Sequence, residues 1–568
     1  MTDKQAPMGI ATTRTELRAA AAFGQLQQAP VIFETDHNVC NAGVLFLLPA
    51  LLAQGLLKHA DRVYHSLRAG YYGLQHILLI LSFMALCRIK SPEQLKNCKP
   101  GELGKVMGLD RVPEAKRLRI KLQEIVAQGK AKEYNLSLAK EWMADEQCVF
   151  FYVDGHVKVY YGEQAHLPKK YIARQKLCMA GMTEYWVNNE KGAPYFMVIG
   201  EVNEKLKDAL LNQIVPTLIK EATHLPSQAV LDANPQLPRF TLVFDREAYD
   251  AQLFKELWEK HRIAVITYRK NIRDVWDEKE FKTLEIKVIE RDVTMNICEK
   301  KAQVGGVGMR EIRRLSESGH QTSIITTNFL IDTATVAGKM FSRWSQENFF
   351  RYALQDFDLD RMAQYGIEEI NPQLKVVNPL YRKTMYQLKK AKEKQARLKA
   401  KQMKIVEENL DQNIDHLKEA LDKQTRLHDS IQDWQRDIER LELERSKISS
   451  HITIKEMKEE EKYQTLKTES KLFMNTIKMI AFRAESAVAN LLSPHYKKAD
   501  SEIRMLVKEI IQADADLLPD YEQKTLTVRL HSLSTPRANE AVSKLCPLLN
   551  ETNTIFPGTE LRLIFETL

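Results

Sequence analysis

The sequence predicts an α/β core carrying a β-rich insertion, preceded by an all-α domain and followed by a long helical, coiled-coil-like region. Three observations predict it. Short β-rich runs alternate with amphipathic segments between residues 146 and 360. Before residue 145 the apolar residues recur at helical spacing instead. From Leu380 to Ser493 there is neither Gly nor Pro, in a stretch rich in Lys, Glu, Gln and Leu that favours long helices.

In residues 1–145, Leu45, Leu48, Leu52 and Leu56 form one helical seam, and the run from Leu74 to Leu86 is apolar nearly all round, which marks a buried helix. The most apolar stretches, Val44 to Leu57 and Ile77 to Cys87, are too short to span a bilayer and are broken by Pro49 or flanked by charge. A Gly-rich stretch from Gly101 to Pro113 leads into a charged helix, Glu114 to Gln128, bearing Lys116, Arg117, Arg119 and Lys121. This reads either as a helix-turn-helix that contacts DNA or as ordinary all-α packing.

The core begins with the run Cys148 to Val153, which ends on Asp154-Gly155-His156 and resumes at Val157 to Tyr161, an expected antiparallel pair with an acid near its turn. A third strand, Pro194 to Gly200, and a helix, Val202 to Ala222, come next. Asp245 ends a further strand, Phe240 to Phe244, followed by the amphipathic segment Glu247 to His261 and a fifth strand, Ile263 to Tyr268. A carboxylate at the C-terminal end of such a strand faces the crevice where open α/β sheets bind ligands. Glu347 lies in a stretch of helical periodicity, Arg343 to Tyr352. Any one of these acids alone would read as a turn or cap residue. Together they suit two Mg²⁺ ions, about 3.5–4 Å apart, that clamp the entering and leaving oxygens of a scissile phosphate; Mg²⁺ keeps several waters, so three acids suffice.

The β-β-β-α-β-α-β-α order, with Tyr152-Val153-Asp154-Gly155, Leu242-Val243-Phe244-Asp245-Arg246 and Arg343-Trp344-x-x-Glu347, resembles the ribonuclease H-like DDE transposases of bacterial insertion sequences. The strand-like runs Thr283 to Ile289 and Gln321 to Thr327, within a span of about 271–330, resemble the branch whose catalytic domain carries a β-rich insertion before the glutamate. The resemblance covers roughly residues 35–360. It implies Asp154, Asp245 and Glu347 as catalytic and metal-binding residues, two Mg²⁺ ions with Mn²⁺ as a substitute, and a phosphate contact from Arg343. Met340 and Leu354 stand where that branch often has a tyrosine and a lysine, which leaves Arg351 as a substitute positive charge. The implied partner is double-stranded DNA, both terminal inverted repeats and target.

Basic and aromatic residues interleave in Lys169, Lys170, Tyr171, Arg174 and Lys176, then Tyr185-Trp186, suiting either a surface that holds a DNA strand or a sheet core. His156 reads equally as an active-site or a structural histidine, and Trp344 as packing the Glu347 helix. From Arg382 to Lys404 ten Lys or Arg residues, Lys389 and Lys390 among them, accompany one acid, Glu393; this is a phosphate-binding face or a solvated one. Leu427, Ile431, Trp434, Ile438, Leu441, Ile448 and Ile452 form a coiled-coil seam, between two protomers of a homodimer or folded back within one chain. An earlier seam, Leu410, Ile414, Leu417 and Leu421, is out of phase with it, predicting a stutter or a bend near Lys423 to Arg426. After Pro494 a small α/β module (494–568) has strands at Thr525 to Leu530 and Glu560 to Phe565 around a helix, Pro536 to Leu549.

The net charge of +8 is modest for 568 residues, so DNA binding rests on local charge. Seven scattered cysteines without CxxC spacing read as reduced thiols, and the N-terminus lacks a secretory pattern, so a cytoplasmic, nucleoid-associated protein without membrane contact is expected. The leading expectation is a metal-dependent DNA transposase. A nuclease of the same fold that only hydrolyses, and a non-catalytic DNA-binding scaffold, are the rivals.

Overall fold

The computed structural model describes residues 11–163, 165–172, 176–200, 204–272, 274–289, 291–360, 367–368, 370–408, 414–496 and 500–568. The chain divides into two compact units, one of residues 1–160, 170–366 and 467–568 and the other of residues 161–169 and 367–466.

The larger unit is mixed α/β and built on a ten-stranded sheet. Phe150–Val159 pairs antiparallel with Leu177–Asn188, which pairs antiparallel with Pro194–Ile199. On its other edge Phe150–Val159 pairs parallel with Phe240–Phe244, and that strand pairs parallel with Ile263–Tyr268. All five residues of Phe240–Phe244 are buried, as expected of a parallel strand covered on both faces. The β-rich insertion prolongs this sheet: Gln321–Thr326 pairs with Ile263–Tyr268, and Val307–Leu315, Arg291–Val304 and Lys282–Val288 follow as antiparallel neighbours. Gly305 and Gly306, with φ of +55° and +85°, supply the two positive-φ positions of the tight turn between the two long strands.

The expected strand pair around Asp154 is a single strand. Phe150–Val159 runs straight through Asp154-Gly155-His156, and its antiparallel partner is Leu177–Asn188, the segment whose aromatic residues had suggested a DNA surface. Gly155 is no turn residue. A Cβ there would stand 3.2 Å from the Tyr185 ring on the neighbouring strand, so glycine permits the close approach. Tyr185 and Trp186 are buried in the core. Of the predicted Val202 to Ala222 helix, Val202 and Asn203 lie outside the described residues, and helix is formed by Leu206–Ala209, a π turn at Leu210–Ile214 and Val215–Glu221.

Leu74–Leu86 is the buried helix its composition predicts. It packs against Glu469–Leu492, which comes from the Gly- and Pro-free run yet serves as a central helix of the larger unit, also touching Ala131–Glu146 and Pro194–Ile199. The N-terminal segment is not all-α: Asp36–Val39 is the edge strand of a four-stranded sheet completed by Ala515–Asp520, Thr525–Leu530 and Arg562–Thr567. Among the described residues no single helix is long and apolar enough to cross a membrane. The bent pair Ala42–Ala53 and Leu56–Val63 has the length and composition for one, but Val44, Phe46, Leu51 and Leu56 belong to the hydrophobic core.

In the smaller unit, Pro379–Glu408 and Ile414–Ser446 pack antiparallel through Leu388, Ala391, Trp434, Ile438 and Leu441. Lys392 pairs with Glu442 at 2.6 Å and Gln395 with Gln435 at 2.8 Å. The seam is therefore buried within the chain, and an intermolecular pairing is not required to cover it. It is also shorter than predicted: the helix ends at Ser446, and Ile452 lies in the strand His451–Thr453, paired with Lys375–Val377. The helix continues through Lys423 to Arg426 without a break; Leu410 lies outside the described residues, as do the side chains of Ile414 and Leu417.

Candidate active site

Strand register brings Asp154 and Asp245 together. The parallel pairing of Phe150–Val159 with Phe240–Phe244 aligns Val153 with Phe244, so the next residue on each chain is one of the acids. Neighbouring strands lie about 4.8 Å apart, which makes the two carboxylates electrostatic neighbours. The Asp154 Oδ1 accepts from the N–H of Gly155 at 2.9 Å and the Asp245 Oδ1 from that of Arg246 at 2.7 Å.

Glu347 arrives on the helix Trp344–Phe357. That helix is docked by Phe349 and Phe350, whose rings lie 5.4 and 6.1 Å from the Trp186 ring, and by Gln346, whose amide nitrogen donates to the carbonyls of Tyr152 and Trp186 and to the Asn188 Oδ1. Trp344 does not do the packing expected of it, being 50% exposed. It lines a cavity of about 350 Å³ with Tyr268, Met295, Met340, Phe341 and Glu347.

One guanidinium joins the first and third acids. Arg343 Nη1 lies 3.3 Å from the Asp154 Oδ2, and Nη2 donates to the Glu347 Oε1 at 2.7 Å. The Arg343 to Glu347 spacing of one helical turn puts both side chains on one face. Burial alone would lower the Arg343 pKa, but the carboxylates of Asp154, Asp245 and Glu347 outweigh it and hold it above its ordinary value. Asp154 moves the other way for an acid. Burial, with the charges of Asp245 and Glu247 added, pushes its carboxyl up to about 6 against the opposing pull of Arg343. Glu247 is an acid the sequence reasoning passed over. Burial and Asp245 raise its pKa, offset in part by Lys170 and Lys270, and the Asp245-x-Glu247 spacing was the available signal.

The remaining candidate residues are dispersed. Lys170 is half-buried with its pKa lowered by burial, opposed by Glu247 and Glu204, while Lys169 is exposed and Arg174 lies outside the described residues. Arg351 is exposed and donates to the Asn348 Oδ1 at 3.2 Å. Lys389 and Lys390 are exposed on Pro379–Glu408, with Lys390 over the Tyr386 ring at 4.7 Å. Lys116 and Arg117 are exposed on Ala115–Val126, but Lys121 turns inward to the Arg68 carbonyl at 2.8 Å and to Glu124 at 2.9 Å. The preceding helix ends at Val106, so the connection from Met107 to Glu114 exceeds the roughly 3–4-residue turn of a helix-turn-helix. His156 is structural in its contacts: its ring stacks on Phe350 at 5.3 Å and bonds Asp360 at 2.6 Å.

The donors suit a hard divalent cation. All three are carboxylates, and Asp154, whose carboxyl is pushed up first by burial and then by the charges of Asp245 and Glu247, is a group whose ionised form such a cation would stabilise. As the side chains stand, no group of three or more His, Cys, Asp or Glu among the described residues is close enough to hold a metal ion, and Arg343 engages two of the three candidate acids.

Acids on two adjoining strands and on a docked helix, in a mixed α/β fold, make Asp154, Asp245 and Glu347 a candidate carboxylate site. The chain belongs to a transposase family: the family model described as "Transposase protein" matches residues 9–568. No curated protein matches it. Among solved structures, a cryo-EM structure of the piggyBac transposase synaptic complex with hairpin DNA is similar at 8% identity and a TM-score of 0.28, over 55% of this chain and 68% of that one.

Proposed function

We propose that this transposase is of the DDE insertion-sequence type, binding element ends and catalysing metal-dependent DNA strand cleavage and strand transfer on a ribonuclease H-like core. The observation that carries the reading is the Arg343 guanidinium set between Asp154 and Glu347, with Asp245 on the adjoining strand. Three antiparallel strands followed by two parallel ones, in the spatial order third, second, first, fourth, fifth, support the ribonuclease H-like reading.

Asp154 and Asp245 would hold the Mg²⁺ or Mn²⁺ ions, and Glu347 would complete the set. Bound there, the ions supply Lewis-acid stabilisation of the scissile phosphate and lower the pKa of the attacking water. Arg343 serves as internal counter-ion until DNA arrives; a backbone phosphate then competes for the guanidinium and frees the two acids. Its Nε is buried and unbonded, a donor left over for that phosphate. Glu347, with its side chain 58% exposed, has room to turn toward the aspartates. Lys170 and Arg351 would neutralise backbone near the acids. Lys116, Arg117, Lys169, Lys389 and Lys390 are further cations suited to backbone phosphates. With DNA as substrate the protein acts at the nucleoid, and holding two element ends calls for at least two protomers.

The test is replacement of Asp154, Asp245 or Glu347 by Ala. Each variant is expected to bind terminal-repeat DNA and to leave it uncut; a variant that cleaves near the wild-type rate removes that residue from the site. Products in which a 3′ end is joined to target DNA separate a transposase from a nuclease that only hydrolyses.

A further inference from the structure

Gln346 sits between the two groups that matter, next to Glu347 in sequence and against the Asp154 strand in space. It is fully buried. Its amide nitrogen meets three oxygens: the Tyr152 carbonyl at 3.3 Å, the Trp186 carbonyl at 3.2 Å and the Asn188 Oδ1 at 2.8 Å. Only a nitrogen donor can satisfy that set, so the amide orientation is fixed. Asn188 is itself oriented, because its own amide nitrogen donates to the Gly192 carbonyl at 2.8 Å. The Gln346 Oε1, in contrast, is buried without a hydrogen-bond partner. A side chain of pure packing value would not carry that cost.

Contacts of the segment from Lys339 to Leu359, which holds this helix, run in order along one face of the Asp154 strand. The Tyr152 hydroxyl donates to the Lys339 carbonyl at 3.0 Å, Asp154 pairs with Arg343, His156 stacks on Phe350, and Lys158 donates to the Leu359 carbonyl at 2.5 Å. These are alternate residues of one strand and so share a face. At the far end Leu359 is held twice, since Lys471 also donates to its carbonyl at 3.0 Å, while Lys158 is paired with the buried Glu184 at 2.9 Å. The helix is therefore anchored at its end beyond Phe357 independently of Gln346. Near Glu347, beside the Arg343 pairing with the Asp154 carboxylate, Gln346 bonds the backbone of the Asp154 strand at the Tyr152 carbonyl, two residues from Asp154.

We propose that Gln346 is a positioning residue for the cleavage reaction: its three-way bond to the Asp154 strand and its neighbour sets the separation of Glu347 from Asp154. This rests on the reading of those acids as the catalytic set. Gln346 touches neither substrate nor metal; it acts through the backbone of Glu347. Misplacement of a reacting group by about 1 Å can cost on the order of a hundredfold in rate, whereas DNA binding, which draws on cations elsewhere, has no dependence on this bond.

The test is Gln346→Met, which keeps length and removes the donors, with Asn188→Ser as a milder variant that removes the closest acceptor. Cleavage of terminal-repeat DNA by each full-length protein is followed at saturating DNA, with KM and the binding Kd measured alongside and folding checked by circular dichroism. The expected result is a fall in kcat of tenfold or more for Gln346→Met and a smaller fall for Asn188→Ser, with KM and Kd within about twofold of wild type. Wild-type kcat in folded Gln346→Met overturns the proposal, as does a loss of binding in proportion to kcat. If Gln346→Met does not fold, Asn188→Ser decides alone on the same criteria. Wild-type protein and Glu347→Gln are run in parallel: an inactive wild type, or an active Glu347→Gln, strikes the catalytic reading instead of the role of Gln346.

Discussion

Asp154→Asn is expected to make the ion-free protein more stable at neutral pH while abolishing cleavage. The wild-type carboxyl has its pKa raised from 3.8 to about 6, chiefly by burial and then by Asp245 and Glu247. A difference of about two pK units is worth about 3 kcal/mol at roughly 1.4 kcal/mol per unit. The sign follows from which state holds the proton. Below pH 4 the carboxyl is protonated in both the folded and the unfolded chain, and the two proteins are equally stable on this account. Between pH 4 and 6 the folded protein binds the proton more tightly, so wild type loses stability as the pH rises through that window. Above pH 6 it carries the full penalty, and the asparagine does not. Asparagine can keep the local geometry, because its Oδ1 still accepts from the Gly155 N–H. The side chain is 22% exposed, so the figure is an upper bound. Thermal melts in chelator from pH 4 to 8 should show an advantage of up to about 6 °C at pH 7.5, taking roughly 2 °C per kcal/mol, shrinking toward zero by pH 4. An advantage that is absent at pH 7.5, or that grows as the pH falls, would refute the reasoning.

Two further predictions concern the smaller unit. Changing Lys389, Lys390, Lys394 and Lys401 to Gln should weaken binding to terminal-repeat and random DNA alike and reduce the slope of log K against log salt by up to about 3.6, at about 0.9 per phosphate; fluorescence anisotropy across a salt series measures both, and an unchanged slope makes the run a solvated face. Ile431→Asp with Ile438→Asp buries two carboxylates where the two helices pack, so helical circular dichroism and thermal stability should drop with no change in sedimenting mass. A halved mass would instead place the seam between protomers.

Local patterning made some elements legible and hid others. Phe240–Phe244, Ile263–Tyr268 and Leu74–Leu86 were predicted with the same bounds because each is a dense apolar run with polar or turn residues at its ends. Asp154-Gly155-His156 misled, since a Gly beside an Asp reads as a turn, whereas here the glycine makes room for Tyr185 across the sheet. The strands Arg291–Val304 and Val307–Leu315 were missed because their charge density masks the alternation; Arg310, for instance, is buried against Glu299 at 2.7 Å. The helical hairpin could not be told from a dimer in sequence, because the same seam serves both, and only the pairing of Gln395 with Gln435 and Lys392 with Glu442 settles which helix fills it. In the candidate site the Arg343 and Glu347 spacing was readable. The burial of Arg343 against Asp154 and the three bonds of Gln346 depend on contacts across more than 150 residues of sequence and were not.

The central claim is that Asp154, Asp245 and Glu347 form one metal-dependent centre that cuts DNA at the element's ends. Its most direct test is incubation of the purified protein with DNA carrying its flanking inverted repeats, with Mg²⁺, with Mn²⁺ or with chelator, followed by mapping of the 3′ ends at nucleotide resolution. The account predicts 3′-hydroxyl ends at the repeat boundaries in either metal, none in chelator, and none from Glu347→Gln in any condition. Boundary cuts that persist in chelator or in Glu347→Gln would contradict it.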